Sequence, residues 1–243
     1  MYFIKSLATC FLMLFLVSIS FAQETTGSIE GVVKDGSGAV VPGITVTIRS
    51  TGTSTAFKQN ITTKDDGSFT MNQVPPGTYK VTTAEDKGFG AATVSNIVVS
   101  LGKGTPVEVV VKAGGATAVV DINATDSAQI DTTDQKIQTN IGQREIESVP
   151  KGTNFTSLLK IAPAVRTEPL SGGFQVDGAS GSENTFVIDG QEVTNFNTGT
   201  LNTNNNLPFQ LVQEVQVKSS GFEAEFGGAT GGVINVVTKG GNN

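Results

Sequence analysis

The sequence predicts a mainly β protein in two parts, a seven-stranded β-sandwich followed by a small α+β domain. Apolar and polar residues alternate at period two from Gly27 to Lys112, between regularly placed turn signals. The 243 residues include 29 glycines and no tryptophan, with few helix-favouring runs. Beyond residue 142 a single helix-spaced stretch is followed by several short β-branched segments. Once the apolar N-terminus is set aside, about 220 residues remain, enough for two domains of roughly 100 each.

Residues 1–22 read as a secretory leader. Lys5 supplies the positive start and residues 11–21 the apolar stretch, and Ser20, Phe21 and Ala22 form a small-x-small cleavage site before Gln23. A membrane anchor fits less well, because the apolar core is short against the ~20 residues of a span and no stop-transfer charges follow. Cys10 has Thr9 before it and most of the apolar stretch after it, the wrong place for a lipid-anchored cysteine.

Loss of the leader removes the only cysteine, and the chain has no histidine. Disulfides, Cys-His and Ser-His-Asp nucleophiles, and nearly all zinc sites are thereby excluded. No catalytic, cofactor or metal residues are assigned. The formal charge is −6 with no basic run, so nucleic acid is not an expected partner.

Strands are predicted at 28–34, 44–50, 55–63, 68–72, 77–84, 92–100 and 106–112. Their length, with turns every 8–12 residues, points to a transthyretin-like or immunoglobulin-like sandwich. Ile44, Val46 and Ile48 share one face, as do Tyr79 with Val81, and Val107 with Val109 and Val111. Phe69 and Tyr79 are read as core aromatics rather than a sugar-stacking platform. Asp65 and Asp66 are read as turn residues rather than calcium ligands.

Residues 113–142 are read as a connecting segment, ending in a polar strand over 126–142. The second domain then runs from 143 to 243. Its one predicted helix covers Asn154 to Pro163: Phe155, Leu158 and Leu159 fall at i, i+3 and i+4, and Thr153 or Asn154 is the N-cap. Strands are expected at 174–176, 185–188, 215–218 and 233–238, with 208–212 leading into the third. Glycine pairs at 227–228 and 231–232 allow positive φ or close packing against a neighbouring wall.

Two resemblances cover essentially the whole chain after the leader. GSIEGVVKD (27–35), VPGITVT (41–47), TKDDGSF (63–69) and VPPGTYKV (74–81) resemble the carboxypeptidase regulatory-like domain. That resemblance implies a non-catalytic sandwich with a carbohydrate-binding-like fold. VP (149–150), NFTSLLKIAP (154–163), FVIDG (186–190), VQEVQVK (212–218) and FGGATGGVINVVTK (226–239) resemble the plug domain of TonB-dependent outer-membrane receptors, of the Oar-like kind. The plug resemblance implies an outer-membrane site in a Gram-negative bacterium, on the periplasmic side and in a barrel lumen. Its implied partners are TonB, a β-barrel in cis and an unknown extracellular ligand. The implied function is gating of energised uptake.

In such receptors a TonB box precedes the plug and pairs as an added strand. By position the candidate is Thr117, Val119, Val120, Asp121 and Ile122 within 117–125; the stretch also reads as a strand edge or linker. The loop NFNTGTLNTNNN (195–206) offers Asn195, Asn197, Asn202, Asn204 and Asn205 as ligand-facing groups, or as a hydrated surface against a barrel wall. A barrel of about 22 strands has no residues here, so the expectation is a fragment of a longer receptor or a short natural form. The alternative function is a secreted carbohydrate- or protein-binding module. A carboxylate-only hydrolase using Asp177 and Asp189 ranks third, because both lie in Asp-Gly turns. N-terminal sequencing of the exported protein is expected to begin at Gln23; a start at Met1 would refute cleavage.

Overall fold

The computed structural model describes residues 25–52, 56–114, 118–121, 136–169, 172–221, 224–226 and 228–240, so the stretch expected to be a leader lies outside the described residues. Seven strands form the first domain: β1 (Gly27–Asp35), β2 (Thr45–Ser50), β3 (Lys58–Thr62), β4 (Ser68–Val74), β5 (Gly77–Thr83), β6 (Ala92–Val99) and β7 (Gly104–Val111). They sort into two sheets, β4-β1-β7 and β3-β2-β5-β6. Strand β1 runs parallel to β7 and antiparallel to β4.

The alternation in the sequence sets which side chains meet. Ile29 and Val33 from β1, with Val107, Val109 and Val111 from β7, face Val46, Ile48, Tyr79, Val81 and Val94 from the larger sheet. Phe69 and Tyr79 are each 1% exposed, as core aromatics must be. Tyr79 keeps its hydroxyl satisfied by donating to the Pro75 carbonyl at 2.6 Å. Burial pushes that hydroxyl's pKa well above the usual tyrosine value. Asp66 accepts from the Ser68 amide at 2.9 Å and Gly67 follows at φ +71°, so this pair builds the turn. Hydrogen bonds from Ser68 hold the Asp66 carboxyl below the ordinary aspartate value.

A further strand, β8 (Ala118–Asp121), lies parallel to β6 and becomes the fifth strand of the larger sheet. The second domain comprises β9 (Ile137–Ile141), helix α1 (Gln143–Ser148), a 3-10 helix (Phe155–Ile161), β10 (Val165–Thr167), β11 (Phe174–Val176), β12 (Thr185–Ile188), β13 (Gln191–Glu192), β14 (Val212–Ser220) and β15 (Val233–Thr238). Its main sheet has the order β13-β12-β15-β14-β9, with β12 and β15 parallel. Strand β9 pairs antiparallel with β14, so residues 137–141 belong to this sheet, upstream of the boundary expected at 143.

Two helical expectations need correction. Phe155, Leu158 and Leu159 are all fully buried as predicted, but the segment is a 3-10 helix and Asn154 makes no side-chain cap. Instead the Phe155 amide donates to the Leu207 carbonyl and the Ser157 hydroxyl to the Asn154 carbonyl. Held at its N-terminal end by these bonds and closed at the other by the Ala162 amide on the Leu159 carbonyl, the seven-residue segment stays a 3-10 helix. The real α-helix is α1, which the pattern does not announce. It has six residues and one buried side chain, Ile146, too few to show a period. Its first amide is served by Glu145 reaching back to Gly142 at 3.1 Å. Residues 209–211, expected to lead extended into β14, also form a 3-10 turn.

The core of this domain lies on one face of the main sheet. Phe155, Leu158, Leu159, Ile146 and Val176 pack there against Val215, Val217, Ile234 and Val236. On the other face Val187 and Val233 meet Phe226 and Ala229. The turns at Asp177-Gly178 and Asp189-Gly190 both have positive φ at each residue, the type I′ pattern. Asp189 also accepts from the Thr238 amide at 2.8 Å and its hydroxyl at 2.7 Å, which ties β15 to the β12–β13 hairpin. That role accounts for its carboxylate without a hydrolytic one. Among the described residues no helix is long and apolar enough to cross a membrane, which says nothing of strands that cross as a barrel.

The second glycine pair serves close approach. A Cβ on Gly232 would lie 2.6 Å from Val176 Cγ1, a stiff and buried neighbour, whereas one on Gly228 meets nothing within 4 Å. Gly232→Ala is therefore expected to lower stability by about 1–3 kcal/mol through overpacking. Gly228→Ala is expected to be close to neutral. Urea unfolding of the two variants checks the difference, and equal midpoints would contradict it.

Candidate functional site

The connecting strand is the first place to look. Val119, Val120 and Asp121 lie in β8, with Thr93, Val94 and Ser95 of β6 as their partners in register. Thr117 and Ile122 lie outside the described residues. Strand β8 ends the sheet order, so among the described residues its far side has no neighbouring strand, the arrangement that lets a further strand be added. The stretch is thus a strand edge in the structure, one of the readings the sequence left open.

The Asn-rich loop is held by its own side chains. Asn195 Oδ1 accepts from the Asn197 amide at 3.0 Å, and the Asn195 carbonyl accepts from Thr198 and Gly199 at 3.1 and 2.7 Å. Asn202 Oδ1 caps a 3-10 turn (Thr203–Asn205) by accepting from the Asn204 amide at 3.2 Å. The Asn205 amide closes the same turn onto the Asn202 carbonyl at 2.9 Å. Gly199 sits at φ +67° against the Ser182 backbone, where a Cβ would lie 2.0 Å from the carbonyl oxygen. Two of the five asparagines thus use a side-chain oxygen to shape the loop, while Asn197 and Asn204 are exposed.

This scaffold presents a side chain that the sequence reading passed over. Phe196, between two of the chosen asparagines, is 87% exposed. A lone aromatic inside a polar, glycine-broken stretch was the available signal. Held on a rigid turn, it offers an apolar face to whatever meets the loop.

The second omission lies between the domains. The turn at 100–103 joins β6 to β7 and inserts Leu101 against the polar face of the second sheet. The Leu101 amide donates to Glu214 Oε1 at 3.0 Å. Its carbonyl accepts from Asn140 Nδ2 at 3.1 Å and from Gln216 Nε2 at 2.9 Å. Burial raises the Glu214 carboxyl above the ordinary glutamate value, and the Asn140 and Leu101 donors only partly offset it. Beside this contact a crevice of about 420 Å³ is lined by residues of both domains, among them Thr78, Tyr79, Arg144, Gln213 and Glu214. No group of three or more metal-ligating acidic, histidine or cysteine residues occurs among the described residues.

Comparisons with known proteins agree with this architecture. Residues 28–112 match the carboxypeptidase regulatory-like domain, and residues 129–233 match the TonB-dependent receptor plug domain. The chain is 30% identical over 235 residues to the TonB-dependent transporter Oar of Myxococcus xanthus, covering 93% of this chain and 21% of that protein. It therefore spans about a fifth of the length of that relative. Among solved structures, the Bacillus anthracis TIE protein is 22% identical with a TM-score of 0.31, over 37% of this chain and 17% of that one. A putative carbohydrate binding protein from Bacteroides uniformis is 25% identical with a TM-score of 0.30, over 35% and 41% of the two chains. At those scores neither likeness bears on the assignment. The two matched families and the relative that spans both make the chain a carboxypeptidase regulatory-like domain followed by a TonB-dependent receptor plug domain.

Proposed function

We propose that this chain is the periplasmic extension and plug of a TonB-dependent transporter in the outer membrane of a Gram-negative bacterium, gating energised uptake of an external ligand. The observation that carries the reading is the plug match over 129–233, on a chain collinear with a TonB-dependent transporter through both domains. That family and that relative point to a transport component and away from an enzyme. In this reading a β-barrel in cis surrounds the plug. The loop at 195–206, with Phe196 at its tip and the exposed Asn197 and Asn204, faces the ligand or the barrel wall.

The energised step uses β8. TonB adds a strand to the open side of β8, a mode that requires free backbone groups and little sequence. A pull there acts on the next described element, β9, which among the described strands is the edge of the plug sheet with β14 as its neighbour. Its antiparallel pairs run from Ile137 opposite Ser220 to Ile141 opposite Val215. Drawn away from the Ile137 end, β9 opens one pair at a time, so the plug can loosen locally while its apolar core stays closed.

The test is co-purification with the periplasmic domain of TonB. The full chain is expected to retain TonB, and deletion of residues 117–125 or the substitution Val119→Pro is expected to abolish retention. Binding that survives both changes would remove β8 from the gating step.

A further inference from the structure

We propose that the contact between the β6–β7 turn and the plug sheet is a releasable clasp, opened and closed by the charge on Glu214. The inference goes beyond the transport reading and does not rest on it, since it concerns only how the two domains hold each other.

The contact is polar where a permanent seam would be apolar. Each domain closes its own hydrophobic core. Leu101, although wholly buried, belongs to neither cluster. What crosses the junction at the turn is its peptide group, held by Asn140, Glu214 and Gln216. Among the described residues, three buried acceptors on β9 and β14, Asn140 Oδ1, Gln213 Oε1 and Gln216 Oε1, have no hydrogen-bond partner. A buried acceptor left in that state is penalised, and water would relieve the penalty on opening. The adjoining crevice brings solvent to the rim of the same polar layer. Separating the domains here exposes amides and a carboxylate, with the Leu101 side chain as the apolar group among them. The junction is therefore the place where the chain comes apart first.

Glu214 sets when it does. Its side chain is 3% exposed while closed, and opening returns it to water. Burial raises its pKa from 4.5; Asn140 on β9, the Leu101 amide and Lys103 on the turn pull the other way, and Glu145 on α1 adds to the rise. Lys218, further along the same strand, is stacked over the Phe226 ring at 5.3 Å. The closed clasp thus binds a proton more tightly than the open one. Closure is strongest below 4.5 and weakens as pH climbs through the raised value. One proton allows at most about a tenfold loss in the closed-to-open ratio per pH unit between 4.5 and the raised value, and the ratio levels off above it.

The clasp also joins two elements the chain keeps apart. Strand β6 carries β8 along one side and continues directly into Leu101, which grips Asn140 of β9. While closed, the sandwich braces the edge strand of the plug sheet; once open, β14 is the one described strand that still holds β9.

Energy transfer between labels at Glu85→Cys and Lys160→Cys, both exposed, tests this on the full chain carrying Cys10→Ser. One compact population is expected near pH 4.5, with a separated population growing as the pH is raised and secondary structure unchanged by circular dichroism. Glu214→Gln keeps the acceptor oxygen without the charge, so it is expected to stay compact throughout. A constant distance in the parent chain, or the same pH profile in E214Q, would overturn the proposal. Should E214Q fold poorly, NMR on the parent chain decides: the Leu101 amide and the Glu214 carboxyl must titrate together, and independent titrations refute the clasp.

Discussion

Strand β14 has no water-facing side: every residue from Val212 to Lys218 is buried. Its valines meet the 3-10 helix and α1 on one face, which any amphipathic strand would do. The opposite face carries Glu214, Gln216 and Lys218, and these need polar or aromatic cover once water is gone. The cover comes from two unrelated places. The sandwich contributes the Leu101 peptide, and the segment after β14 contributes the Phe226 ring over Lys218. The placement of the first domain against the second follows from that requirement.

The plug domain is correspondingly economical in apolar packing. Its helical layer is a seven-residue 3-10 turn and a six-residue α-helix, with one fully buried face between them. Close approach replaces bulk at Gly232, where the backbone lies directly on Val176. Hydrogen bonds made by side chains to backbone do much of the remaining work. Asn184 donates to the Phe174 carbonyl and accepts from the Gly232 amide, and Asp189 holds Thr238. Such a domain has defined geometry without a deep core, a combination that allows local opening at low energetic cost.

Legibility varied with how local the cause was. All seven sandwich strands were visible because period-two alternation and Asp-Gly or Pro-Gly turns act within a few residues. Phe69 and Tyr79 could be placed in the core for the same reason. The Phe155, Leu158, Leu159 stripe was visible, yet not its 3-10 geometry, since the Leu207 carbonyl that pins Phe155 is distant in sequence. Helix α1 escaped because a glycine stands at its N-cap and Ile146 alone is buried. In the Asn-rich loop, composition marked the place but not the roles. Asn195 and Asn202 shape turns, and Phe196 is the side chain presented.

By itself the sequence determined the two domain types, their order, the strand positions and the lack of any histidine. These depend on local alternation, turn residues and composition. Tertiary structure alone decided that β8 lies on β6, that β9 is the edge of the plug sheet, and that Glu214 is buried under Leu101. In VQEVQVK the polar residues alternate as a solvated face would, and only a partner 113 residues away in the chain turns that face into an interior. Burial is a property of what covers a residue, and the covering group carries no mark in the strand it covers.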